Sequence, residues 1–149
     1  MDAYSFLRYL HSGFRYIVLL LLVVAIIRAW ADWVGKKPYN EGNRKLNMFA
    51  MISLHTQLLI GLIVYFVGKW YENFSTMSSL SKEVRYWTVE HWSMMIIAIA
   101  LVTIGHSRSK KATLPEGKHK AIAIFYTLGL VIIVVAIILS GRSLVGMTH

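Results

Sequence analysis

Four runs of about twenty mostly apolar residues, at about 14–33, 48–67, 87–106 and 121–139, divide this chain. Each is as long as a helix must be to cross about 30 Å of hydrocarbon. The runs are continuously apolar instead of alternating, and an open sheet in lipid would leave backbone N–H and C=O groups unpaired, so strands are excluded. The reading is all-α: an integral membrane four-helix bundle forming a single transmembrane domain over residues 1–149. Pro38 and Pro115 both fall in connections, where a missing backbone donor costs little. A secretory signal peptide, with its core at 16–27 and a small-residue site at Ala29-Trp30-Ala31, is the rival reading of the first run. We expect that run to be kept as a span.

Composition agrees. Apolar residues make up 56% and charged residues 15%, against roughly 45–50% and about 25% in soluble domains. There is no cysteine, which excludes disulfides, thiolate zinc sites, iron–sulfur clusters and covalently attached haem. A net charge of +9 would suggest nucleic acid in a soluble protein, but here the cations punctuate apolar runs, so no nucleic-acid partner is expected. Of the 16 Lys and Arg residues, ten flank the first and third connections: Arg28, Lys36, Lys37, Arg44 and Lys45, then Arg108, Lys110, Lys111, Lys118 and Lys120. Cytoplasmic loops retain positive charge, so both termini are expected outside, in a membrane of the bacterial inner type. Trp30, Trp33, Trp70, Tyr71, Trp87 and Trp92 stand at run ends, as interfacial anchors do. The Ser-rich stretch 75–81 reads as an external turn.

Polar groups at membrane depth are costly and therefore mark function. Four of the six histidines qualify: His11, His55, His91 and His106, whereas His119 and His149 read as solvated. His91 and His106 are 15 residues apart, about 22 Å of rise and only about 60° of rotation on a straight helix, so both point to one side near opposite membrane faces. His11 stands about 26 Å above Arg28, and His91 about 26 Å above Arg108, which puts His11 and His91 at one depth. His55 and His106 belong to the other half. Two stacked imidazole pairs from different helices are what bis-histidine ligation of two b-type haems needs. Arg8 and Arg15 lie three residues before and four after His11, on one face if the helix continues upstream, where they could pair with haem propionates; interfacial snorkelling is the equal alternative, and Ser12-Gly13 could instead break the helix. Counted from the aromatic anchors, His55 is level with residue 101, which leaves His106 about 7 Å deeper. A single haem on His11 and His91 is therefore an open alternative.

His11-Ser12-Gly13 with Arg15, the run Leu54-His55-Thr56-Gln57-Leu58-Leu59-Ile60-Gly61, and Glu90-His91 through Gly105-His106-Ser107 together resemble small four-span membrane b-type cytochromes of the cytochrome b561 type. The resemblance covers most of the chain. It implies non-covalent haem b, two per chain, electron transfer across the membrane, and partnership with a quinol and with other respiratory or redox membrane subunits. Larger diheme cytochromes place two histidines on each of two helices, whereas here they are split one, one and two over three.

The rival reading is that the histidines hydrogen-bond across helices in a haem-free accessory subunit. A proton-coupled carrier is disfavoured by the lack of Asp and Glu in the runs. Met94 and Met95 read as core filling before thioether ligands, Glu90 as surface before orienting group, and Gly61, Gly105 and Gly129 as close helix contacts before porphyrin seats. Lys110-Lys111 could bind anionic lipid, though topology already accounts for it. No Walker loop, dinucleotide fingerprint, nucleophile elbow or paired catalytic carboxylates occur.

Overall fold

A computed structural model describes residues 2–73, 81 and 89–139 of the chain. Trp87, the Ser-rich stretch 75–80 and His149 lie outside the described residues. Among the described residues four long helices follow one another: α1 Ala3–Val34, α2 Glu41–Val67, α3 His91–Lys111 and α4 Pro115–Leu139. No strand occurs among the described residues. Three of these helices, α1, α2 and α4, are long and apolar enough to cross a membrane. Helix α3 has 21 residues, about 31 Å, which also matches the hydrocarbon thickness; its terminal histidines and basic last turn dilute its apolarity.

Helix α1 starts well before the apolar run that announced it. The Asp2 carboxylate accepts the Ser5 amide at 2.8 Å and caps the new N-terminus, so the helix passes unbroken through Ser12-Gly13. Helix α2 begins on a reciprocal capping box, in which the Asn40 and Asn43 side chains each accept the other's backbone amide at 3.0 Å. Both α1 and α2 end on Gly-Lys. The lysine that follows each glycine turns the chain in the left-handed region, Lys36 at φ 53° and Lys69 at φ 57°.

The helices neighbour one another in a closed ring, α1 against α2, α2 against α3, α3 against α4 and α4 against α1, with α2 and α3 touching least. Small residues line the centre. Ala25, Ala50, Ala98, Ala123 and Val102 are fully buried and let the backbones approach, as helices in lipid must when van der Waals contact is the main attraction. Gly105 and Gly129 are close approaches of α3 and α4: a β-carbon would come within 2.5 Å of Phe125 Cβ and 2.7 Å of Val102 Cγ2 respectively. Outward positions such as Leu20, Ile27, Leu59, Ile97 and Ile138 are exposed and apolar, the pattern of a lipid-facing belt.

The two short connections lie together at one end of the bundle, here called the turn end. Polar side chains knit it. Tyr126 OH donates to the Asn47 carbonyl at 2.7 Å, Asn43 Nδ2 to Asp32 at 2.9 Å, and Asn47 Nδ2 to Tyr39 OH at 3.1 Å. His119 corrects the expectation of a solvated side chain. It is 1% exposed, with its Nε2 3.1 Å from the Lys37 carbonyl and its ring 5.3 Å from that of Tyr39. The flanking lysines made it read as surface, but on α4 they sit about 100° to either side of a position that faces the α1–α2 connection.

Candidate functional site

At the opposite end, where α1 and α3 begin and α2 and α4 finish, the helices enclose a cavity of about 380 Å³, within the roughly 300–1,000 Å³ of small-molecule sites. His11 from α1 and His91 from α3 both line it. Their ring centroids are 6.4 Å apart with planes at 88°. Arg8 and Arg15 line the same cavity, one turn to each side of His11, because α1 extends upstream as one helix. The rest of the wall is mostly apolar, with Leu54, Leu58, Met95, Ile99 and Ile133 among its residues. Of the two methionines, Met95 reaches the cavity wall and Met94 does not.

Helix α2 positions His11. Gln57 Nε2 donates to the His11 carbonyl at 2.8 Å. Gly61, one turn along, brings bare backbone against the imidazole: a β-carbon there would lie 3.1 Å from His11 Cε1. At the outer rim Trp70 Nε1 donates to Tyr4 OH at 3.1 Å, joining the end of α2 to the start of α1. Gly68 makes that join possible, since a β-carbon on it would come within 2.6 Å of the Tyr4 ring. Gln57, Tyr4 and Gly68 were not singled out from the sequence. The rule that selected the histidines, polarity at membrane depth, would have found Gln57 had it been applied to amides.

His55 and His106 are not among the residues lining the cavity. His55 is exposed on α2 and its Nε2 lies 2.9 Å from Thr103 Oγ1 on α3. The Thr103 hydroxyl itself donates to the Ile99 carbonyl at 2.7 Å. His55 is therefore level with residue 103, close to the 101 obtained by counting, and His106 is half-buried nearly a turn deeper. Glu90 is exposed and makes no capping hydrogen bond.

Among the described residues no group of three or more His, Cys, Asp or Glu is placed to hold a bare metal ion. A pair of imidazoles from two helices suits instead a metal that brings its other ligands with it, as the iron of haem does. Two metal–nitrogen bonds of about 2.0–2.1 Å and the roughly 1.1 Å from each ring nitrogen to its centroid total about 6.3 Å. The observed centroid distance of 6.4 Å is close to that value, with the ring planes at 88°. Two imidazoles from different helices, beside two arginines in one cavity, are the ligand type and number that a haem takes.

Fold and site together define a class: an all-α bundle of the membrane-spanning kind with a paired-imidazole cavity near one end. Compared with protein-family models, with curated proteins and with solved structures, the chain matches none.

Proposed function

We propose that this chain is an integral membrane b-type cytochrome that binds haem between His11 and His91. The observation that carries the reading is the 6.4 Å imidazole pair, contributed by two helices, inside a cavity that also holds two arginines. Haem supplies reversible one-electron storage at its iron. The chain's own residues do the rest. Each imidazole gives one neutral nitrogen, Arg8 and Arg15 offer positive charge to the two propionates, and the apolar wall keeps water from the centre. Of the two haems expected from the sequence, these features support the one at His11 and His91. His55 has its Nε2 committed to Thr103.

In this reading the ten cations of the turn end face the cytoplasm, both termini lie outside, and the electron partners are a membrane quinol and other redox subunits. The test is a visible spectrum and pyridine haemochrome assay on gently solubilised full-length protein. One haem per chain is expected, lost in both His11→Ala and His91→Ala and kept in His55→Ala. Wild-type protein without haem overturns the proposal.

A second reading has its own support. The His11 and His91 rings make an edge-to-face contact, which would join α1 to α3 without a cofactor, as in a haem-free accessory subunit. Under that reading the same spectrum is empty, and His91→Ala loosens the bundle without changing any absorbance.

A further inference from the structure

A second hollow, of about 500 Å³, opens at the turn end between the last turn of α3 and the first turns of α4. Arg108, Lys111 and Lys120 line it above Ala121, Ile124 and Phe125, and none of its lining residues is acidic. The Arg108 guanidinium lies 5.3 Å from the centre of the Phe125 ring, so one cation is held against the wall. Three cations converging on one hollow are arranged for an anion.

The surface below the hollow says what kind. From Ala121 and Ile124 the same face of α4 continues through Leu128, Val131, Val135 and Ile138, all exposed, in steps of three and four residues. Beside it α3 presents Ile104 and Ile97, also exposed and seven residues apart on one face. A basic head site therefore opens onto an apolar track of about 21 Å from Ile124 to Ile138, longer than the roughly 15 Å of one leaflet's hydrocarbon. A free phosphate would use only the head site. We propose that this groove binds an anionic phospholipid, with its phosphate among Arg108, Lys111 and Lys120 and an acyl chain along the α4 stripe. The proposal does not depend on haem binding or on which way the bundle faces.

The test is retention of phosphatidylglycerol by the full-length protein in detergent, read by native mass spectrometry, beside phosphatidylcholine of the same chain length and beside inorganic phosphate. Phosphatidylglycerol is expected to bind, with an affinity lowered roughly fivefold for each cation removed and on the order of a hundredfold in the Arg108→Gln, Lys111→Gln, Lys120→Gln variant. Lys110→Gln, one residue away but outside the hollow, is expected to bind like the wild type. Lys120→Gln alone, at an exposed position, supplies the same comparison should the triple variant misfold. Equal retention of the two lipids, or unchanged retention by Lys120→Gln, overturns the proposal. Inorganic phosphate binding as tightly as the lipid would make this a phosphate site and also overturns it.

Discussion

Gly61 matters to His11 because of what it lacks. With a β-carbon 3.1 Å from Cε1, alanine would push the imidazole by a few tenths of an ångström, and valine by more. In the proposed cytochrome, Gly61→Val is expected to lower haem content per chain while leaving the helical circular dichroism intact. Gly105 and Gly129 offer a contrast, since their near neighbours include the Ala121 and Ala98 carbonyl oxygens, which cannot swing aside. Gly105→Ala and Gly129→Ala are each expected to destabilise the bundle by about 1–3 kcal/mol in a denaturant titration, through overpacking. His119→Ala is expected to cost a similar amount, about 1–3 kcal/mol, because the Lys37 carbonyl loses its buried partner. That His11 and His91 share one depth was legible in the sequence, because rise per residue is nearly constant in a helix, but that both turn into one cavity was not. The burial of His119 was not, because two flanking lysines say nothing about the face between them.

Helix ends carry strain that single substitutions can measure. Lys36 and Lys69 sit in the left-handed region, where a β-carbon costs roughly 1–2 kcal/mol and glycine is free. Lys36→Gly is expected to raise stability by up to about 1 kcal/mol, seen as a higher unfolding midpoint, since the added freedom of the unfolded chain offsets part of the relief. Asn40→Ala removes one half of the α2 capping box, with an expected loss of about 0.5–2 kcal/mol. The Ser5 amide holds the Asp2 carboxyl below the usual carboxylate range. That cap is fully present above the ordinary Asp pKa and is lost as pH falls through the lowered one. The Ser5 amide should lose its protection, measured relative to the intrinsic exchange rate at each pH, over that acid window. The upstream start of α1 escaped the hydropathy reading for a related reason. Its first turns alternate cations, aromatics and apolar residues, and they are helical through capping and side-chain contact instead of uniform apolarity.

For the whole molecule, the proposed orientation puts Thr113 in the cytoplasm and Ser81 outside. A chain without cysteine makes the check direct: a membrane-impermeant thiol reagent should label Ser81→Cys in intact cells and Thr113→Cys only after the cells are opened. The reverse pattern inverts the bundle. That helices form, that there are four, and about where the apolar runs lie follow from run length and hydropathy, because lipid demands internally satisfied backbone and about 30 Å of apolar surface. The rotation of each helix about its axis does not follow. All four are apolar on the lipid side and on the inner side alike, so no amphipathic stripe distinguishes the two, and the choice falls to packing. Interlocking at Gly105 and Gly129 aligns α3 with α4, and the Gln57 and Gly61 contacts set α1 on α2. Those rotations turn His11, His91, Arg8 and Arg15 into one cavity and leave His55 on Thr103 at the surface, a division decided by side-chain fit between helices, which local sequence does not encode.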